Sequence, residues 1–523
     1  MGIYLNPSND KFSEARNSEI YVDKSELIKY TNKVLHTSQK CICVSRPRRF
    51  GKSMAANMLA AYYSRGCDSE ALFDGLKIEN SPDFHDYLNR YDVIALNMQE
   101  FLSRTHHVLE MLKLLIKLVT RELKREYPHV DYFDLEDLIQ TMQDIYAETG
   151  RSFIILIDEW DCVLRECKDD LAGQKQYLDF LRDFLKDKGY IHLVYMTGIL
   201  PIKKYGTHSA LNMFREFSMT DAGELAEFVG FTEAEVQNLC ETYHADFEEM
   251  KQWYNGYRLR NVGAVYNPQS VVFSILSGAF NNYWNQTETY EALKIYIDLN
   301  YDGLKNQIIR MMQGDSVSID IGSFNNDMTS FASRDDVLTL LIHLGYLGYD
   351  SQYQEAFIPN NEILNEFANA VRNSDWGEVT KALELSRETL QAIWNQNEEY
   401  VAWAIEQSHL ETSYFQYNDE NALSYTISLA LYAAKNYYTV IRELPAGKGR
   451  ADLVFIPRKQ FPDKPALLVE LKWNQVTESA IEQIKDKKYP KALEEYQGNL
   501  LLVGISYDKK TKEHKCKIEE LTH

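Results

Sequence analysis

The stretch "CICVSRPRRFGKSM", Cys41 to Met54, decides how the first part of this chain is read. "CICVS" has the alternating apolar character of a buried strand, and "KSMAANMLAAYYSRG" reads as a helix, rich in Ala, Met and Leu, that stops at Gly66. Between them lies a turn over 46–51. A strand that delivers a tight turn to a helix N-terminus makes a phosphate cradle, because backbone N–H groups and the helix dipole converge on one anion. Gly51, Lys52 and Ser53 supply the expected tail: a glycine for the turn, a lysine for the terminal phosphates and a hydroxyl for Mg²⁺. Arg46 is the misfit, since it stands where a first glycine would relieve the backbone. The string alone therefore fits a working cradle, a modified one, or a basic turn of similar spelling.

Downstream pieces favour a nucleotide site. "RSFIILIDEW" is a continuous apolar run that ends in Asp158 and Glu159, about 105 residues after Lys52. An Asp there holds the hydration shell of Mg²⁺, and the adjacent Glu orients or deprotonates an attacking water. Acidic residues capping the next helix would look the same. "YIHLVYMTG" is a further strand ending in Thr197, which is either a sensor of the terminal phosphate or a turn cap. Asp161 reads more simply as a helix N-terminal residue than as a further acidic contact.

Composition bounds the rest. A chain of 523 residues exceeds one hydrophobic core, so two or three domains are expected. Apolar content of 45% and charged content of 25% are ordinary for a globular protein. No run is apolar enough for a membrane span, and the N-terminus lacks a signal-peptide pattern. Seven cysteines without a CxxC pair fit a reducing cytoplasm, with Cys41 and Cys43 read as buried thiols. A net charge of −21 argues against a surface coated with nucleic acid, but not against a local groove. From Ile441 onward 16 Lys and Arg face 13 Asp and Glu, so the tail differs in charge from the rest.

The strings "YVDKSELI", "SRPRRFGKSM", "IDEWD", "TGIL", "FVGFTEAEV" and "WYNGYRL", with "VYNPQSV" after it, closely resemble the AAA-ATPase-like family. Bacterial members of that family carry a PD-(D/E)XK nuclease-like domain at the C-terminus. The resemblance implies that Arg46 is a normal replacement for the first glycine. Arg46, Arg49, Gly51, Lys52 and Ser53 would then form the ATP cradle, with Asp158 and Thr197 beside it, Ser53 and Asp158 serving Mg²⁺, and Glu159 acting as a catalytic residue. Asp23 and Lys24 belong to a family string and read as a structural pair. Arg215 and Arg258 are arginines that either reach the nucleotide or a neighbouring subunit, or simply pack.

The tail's order of helix, three strands, helix and strand matches what the PD-(D/E)XK resemblance implies. "GKGRADLVF" puts Asp452 on the second strand, and "LLVELKW" puts Glu470 and Lys472 on the third, 18 residues later. Period-two alternation turns Glu470 and Lys472 to one face. Asp452 and Glu470 would hold Mg²⁺, or Mn²⁺, and Lys472 would complete a catalytic set with them. Gln483 lies where relatives of that superfamily carry a supporting polar residue. Glu420 is either a further acidic ligand or, more simply, a helix-start residue favoured by the dipole. The lysines 485, 487, 488 and 491 either track a phosphate backbone or form a solvated helix face.

The expected fold is α/β: an AAA-ATPase-like P-loop domain over 1–220, a mainly helical, winged-helix-like region over 221–375, a helical connector over 376–409 and a nuclease-like domain over 410–523. The expected function is an ATP-binding, ATP-hydrolysing protein coupled to metal-dependent cleavage of DNA or RNA, in defence or mobile-element biology. The alternative is a nucleotide-controlled switch whose nuclease-like domain binds nucleic acid or a partner without cleaving. A GTPase or small-molecule kinase is weaker, because no NKxD string follows in order. A homo-oligomer is compatible with an arginine supplied in trans.

Overall fold

The structure, a computed structural model, describes residues 2–523 apart from 203–210, 285–289, 300, 313, 326–327, 329–330, 373–376, 412–426, 428–429, 447–448, 459–460, 474–480, 482–498, 509, 512 and 522–523. The chain forms two compact units, Met1–Ala370 and Val371–His523. Among the described residues no helix is long and apolar enough to cross a membrane.

The first unit is built on a parallel sheet of β1 (Cys41–Ser45), β2 (Asp92–Asn97), β3 (Phe153–Asp158), β4 (Ile191–Gly198) and β5 (Arg215–Phe217). Their spatial order is β2-β3-β4-β1-β5, with every pairing parallel. All residues of β1 and β3 are buried, which is why these strands read as unbroken apolar runs rather than as alternation. Helices fill the connections. Val108–Glu126, for example, buries Met111, Leu115, Val119 and Leu123 along one stripe. Leu138–Thr149 is started by Asp137, whose carboxylate accepts from Ile139 N and Gln140 N, and is ended by left-handed Gly150. The loop ends of the strands gather on one side, where α/β sheets place their ligands.

The middle region is mainly helical and carries two small antiparallel sheets. β6 (Phe231–Thr232), β7 (Tyr257–Leu259) and β8 (Gly263–Tyr266) pair in the order β6-β8-β7. The helix Arg334–Leu344 is started by a capping box between Ser333 and Asp336. It leads into the hairpin of β10 (Gly348–Asp350) and β11 (Glu355–Phe357), beside β9 (Val317–Ser318). The expected helix followed by a hairpin is therefore present.

The second unit is a five-stranded mixed sheet: β12 (Tyr438–Ala446), β13 (Gly449–Pro457), β14 (Ala466–Trp473), β15 (Leu500–Asp508) and β16 (Glu513–Glu520), in that spatial order. Only β14 and β15 run parallel. The helices Gly377–Trp394 and Glu398–Glu411 fall in this unit, where Leu390, Ile393, Val401 and Ile405 pack against Leu453, Val469, Leu471 and Val503 of the sheet. Burying each such side chain contributes about 1.5–3 kcal/mol. The other face carries Val454, Leu468, Leu502 and Ile481. The closing strand β16 was not foreseen from the sequence. It is held to Glu398, which accepts from Ile518 N and pairs with Lys517 at 3.2 Å.

Candidate functional sites

The phosphate loop follows β1 as its sequence implies. Gly51 adopts φ +91° and caps the helix Lys52–Tyr63 without offering a side-chain acceptor, so the first-turn N–H groups remain available to an anion. Arg49 also has a positive φ, +66°, a conformation most side chains avoid. Arg49, Gly51, Lys52 and Ser53 line a cavity of about 830 Å³, joined by Arg48, Glu159 and Arg165. Its remaining wall is largely apolar and includes Ile20, Tyr21, Val22, Phe228, Phe231 and Phe273. A lining that combines the charged loop with apolar side chains suits a nucleotide, and the volume is that of an ordinary small-molecule site.

Lys52 is almost fully buried and donates from Nζ to Arg46 O at 3.0 Å and Pro47 O at 2.8 Å. Burial pushes its pKa down, while Glu159, Asp158 and Asp161 pull it back up. Its ammonium thus bridges the loop's own carbonyls within reach of three acids. Ser53, by contrast, is exposed on the first helical turn.

Arg46 does not line the cavity. Its side chain is fully buried, and Nη1 donates to Ser45 O at 2.9 Å and Phe217 O at 3.0 Å, while its backbone N donates to Gly198 O. The side chain expected to contact the nucleotide instead ties β1 to β5 behind the loop, and burial lowers its pKa to about 10. Asp158 and Thr197 end neighbouring strands and bond each other, Thr197 Oγ1 donating to Asp158 Oδ1, with Thr197 fully buried and neither lining the cavity.

Glu159 has φ +55° and its carboxylate pairs with Arg165. Burial raises its pKa, while Arg165 and then Lys52 lower it. Arg165 Nε in turn contacts Asp161 Oδ2 at 3.1 Å, and the same oxygen accepts from Ile199 N at 3.1 Å and Leu200 N at 2.8 Å. Asp161 stands at the N-cap of the helix Cys162–Glu166, where it was expected, but makes no cap bond there and instead anchors the turn after β4. Arg165 went unnoticed in the sequence. The only signal for it is an Asp–Arg pair at i, i+4, which is common on helices.

Of the other sequence candidates, Lys24 also lines the cavity, while Asp23, Arg215 and Arg258 do not. Asp23 accepts from Ser25 N and Lys77 N, while Lys24 pairs with Glu235 at 2.6 Å, so the two neighbours have different partners rather than each other. Arg215 pairs with Glu224 at 3.0 Å, and Arg258 with Asp350 at 3.1 Å.

In the second unit the pleat brings the charged residues to one face. Leu453, Val469 and Leu471 point into one core layer and Val454 and Leu468 into the other. Asp452, Glu470 and Lys472 therefore share the side of Val454 and Leu468. The register Leu453↔Val469, continued by one residue, sets Asp452 across from Glu470. Asp452 Oδ2 accepts from Leu471 N at 2.7 Å, and Lys472 Nζ lies 3.5 Å from Glu470 Oε1. Glu470 is 2% exposed. No group of three or more His, Cys, Asp or Glu side chains gathers as a metal cage among the described residues. Two carboxylates on adjacent strands are nonetheless hard oxygen donors of the kind Mg²⁺ uses when it keeps several waters, so the donor set fits such an ion. Gln483, Glu420 and the lysines at 485, 487, 488 and 491 lie outside the described residues.

Comparison with known proteins agrees with this division. Residues 9–207 match the family model described as a predicted AAA-ATPase, and residues 420–517 match that of the PD-(D/E)XK nuclease superfamily. A curated relative, described as an uncharacterized protein in the vnfD 5′ region of Azotobacter chroococcum mcd 1, is 26% identical over 252 residues, 47% of this chain and 47% of that protein. The chain thus spans about half the length of the curated relative it matches. Among solved structures, Cdc6p from Pyrobaculum aerophilum aligns over 67% of this chain and 93% of its own, at 9% identity and a TM-score of 0.26. The Aeropyrum pernix ORC1 protein, solved in complex with DNA, aligns over 72% and 99%, at 10% identity and a TM-score of 0.26.

Proposed function

We propose that this chain, which carries an AAA-ATPase-like domain ahead of a PD-(D/E)XK nuclease-superfamily domain, is an ATP-hydrolysing protein whose nucleotide state governs metal-dependent cleavage of DNA or RNA. The observation that carries the nuclease half is the shared sheet face of Asp452, Glu470 and Lys472, residues from two strands that only a folded sheet brings together. The ATPase half is supported by one cavity lined by Lys52, Ser53 and Glu159.

In the first unit, the helix N-terminus and Lys52 bind the phosphates, and Ser53 would hold Mg²⁺ at the cavity edge, with Asp158 behind it at the end of β3 to hold the ion's hydration shell. The apolar wall takes the base. Glu159 orients water and receives its proton on the carboxylate oxygen that faces the cavity. In the second unit, Asp452 and Glu470 hold Mg²⁺ or Mn²⁺, which when bound lowers the pKa of a water and draws charge from the phosphodiester. Lys472 orients that water or offsets charge growing on the phosphate oxygens. Defence against foreign nucleic acid, or mobile-element biology, is the setting this pairing suits.

The test is cleavage of mixed DNA and RNA with Mg²⁺ or Mn²⁺ by the full chain and by Glu470→Ala. Metal-dependent cleavage by the wild type, lost in Glu470→Ala, is expected. No cleavage with any metal or substrate, while ATP still binds, would point instead to a nucleotide-controlled switch that binds nucleic acid or a partner.

A further inference from the structure

The cavity of the first unit holds one arginine whose partners form a continuous chain through the ATPase centre. Glu159 sits just past β3 in a left-handed conformation, φ +55°, which turns its side chain away from the course a continuing strand would give it. One carboxylate oxygen, Oε2, takes Arg165 Nη2. The other, Oε1, has no hydrogen-bond partner among the described residues, and Glu159 lines the cavity. Arg165 is nearly buried, with 7% of its side chain exposed, and its Nε is held by Asp161 Oδ2 at 3.1 Å. That oxygen is in turn fixed by two backbone N–H groups, those of Ile199 and Leu200. The turn it fixes starts just after Thr197, which donates to Asp158.

We propose that Arg165 is the positioning residue of the ATPase centre: it fastens Glu159 by one oxygen so that the other is presented to water in the cavity, and Asp161 sets the guanidinium from the turn after β4. The proposal rests on the reading of Glu159 as the group that orients water. A free glutamate at a cavity edge would sample several rotamers, and each misplaced one is a lost encounter with water. A guanidinium is a rigid fork that can serve two carboxylates at once at fixed angles, which a lysine ammonium does not reproduce. The anchor at the far end is backbone, so the chain of contacts does not drift with side-chain motion. The same anchor joins the water-orienting group to the strand end carrying Thr197, so the two move together.

An arginine that merely fastened the helix Cys162–Glu166 to the loop would affect stability and nucleotide affinity together. A positioning arginine affects turnover alone. The experiment therefore measures binding of a fluorescent non-hydrolysable ATP analogue, steady-state ATP hydrolysis and thermal unfolding for the full chain and for Arg165→Gln, Arg165→Lys, Glu159→Gln and the Arg165→Gln/Glu159→Gln double variant. Analogue affinity is expected to stay within about threefold of wild type in all variants, while kcat falls roughly 30- to 100-fold in Arg165→Gln. Arg165→Lys keeps the charge without the fork and is expected to recover to about 3- to 10-fold below wild type. The double variant is expected to be no slower than Glu159→Gln alone, because both changes act through one carboxylate.

Unchanged kcat in Arg165→Gln, with Glu159→Gln inactive, overturns the role of Arg165 and leaves the ATPase reading standing. Wild-type hydrolysis by Glu159→Gln overturns the reading of Glu159 as the water-orienting group and this proposal with it, while absence of hydrolysis by the wild type overturns the ATPase reading itself. Loss of analogue affinity in proportion to kcat in Arg165→Gln also overturns the proposal. If Arg165→Gln unfolds below the assay temperature, Arg165→Lys decides: reduced kcat at unchanged affinity supports the proposal, and wild-type kcat overturns it.

Discussion

The two charged sites solve one problem, holding acids together, by opposite means. Around the phosphate loop the protein supplies its own cations. Arg165 lies between Glu159 and Asp161, and Lys52 spans the loop carbonyls beside the same acids. The geometry there depends on turns, with left-handed residues at Arg49, Gly51 and Glu159. In the second unit the acids are set by the pleat of β13 and β14, and among the described residues Lys472 lies 3.5 Å from Glu470. The loop site thus depends on turns and on paired charges, whereas the strand site depends on the alternation of two neighbouring strands. Sites of the first kind are sensitive to packing and backbone. Those of the second kind are sensitive to loss of a single carboxylate.

The largest effect is expected at the strand site. Glu470→Gln should reduce metal-dependent cleavage on the order of 10³-fold while leaving ATP affinity unchanged, read in a cleavage assay beside an ATP titration. Activity surviving in Glu470→Gln would break the comparison on its strand side. Lys52→Ala should weaken ATP on the order of 10²–10³-fold, through loss of charge-assisted bonds to phosphate. ATP should then no longer raise the thermal midpoint, as it should for wild type by linkage.

A buried acid with no cation paired to it among the described residues sharpens the contrast with Glu159. Glu362 is 1% exposed, and its partners are the Ser270 hydroxyl and the N–H groups of Tyr283 and Trp284. Burial raises its pKa from 4.5 to about 7, opposed by those hydrogen bonds and reinforced by Glu366. The folded state therefore binds a proton that the unfolded state has released between those values. The stability this provides is complete below about pH 4.5 and is lost as pH rises through about 7, a change of about 3 kcal/mol. Glu362→Gln keeps an acceptor for the two N–H groups and should flatten that slope, measured by urea unfolding at pH 5 and pH 8. An unchanged slope would show that other groups set it.

The smallest effect concerns packing under the loop site. A Cβ on Gly198 would lie 2.6 Å from the Trp160 ring and 2.8 Å from Asp161 Oδ1. Gly198→Ala should therefore destabilise by about 1–3 kcal/mol and lower kcat by disturbing Asp161, read by thermal unfolding with turnover.

Legibility in the sequence followed the range of the contacts. That Lys52 and Ser53 open a helix after a strand, that Asp158 ends a strand and that Glu470 and Lys472 share a strand face was readable, because each depends on neighbours within a few residues: a strand, its end, and a period of two. Arg46 was visible as an oddity, but its role as a strut to Phe217 was not, because that partner lies 171 residues away. Lys24 was read with its neighbour Asp23, yet its acid is Glu235, 211 residues on. Arg165 looked like any helical arginine, since the Ile199 and Leu200 N–H groups that give its anchor meaning arrive only with β4. The stretch expected as a connector over 376–409 holds helices that pack on the sheet of the second unit, since an amphipathic stripe does not announce which sheet it covers. β5, only three residues long, carried no periodicity to detect.

The central claim is that the nucleotide state of the first unit governs cleavage by the second. The most direct measurement is the initial rate of nucleic-acid cleavage against ATP concentration, for wild type and Lys52→Ala, with ATP affinity measured on the same preparations. The expected result is a wild-type rate that changes with ATP, half-complete at the ATP dissociation constant, and a Lys52→Ala rate that does not respond over that range. A wild-type cleavage rate indifferent to saturating ATP would contradict the claim and leave two independent activities on one chain.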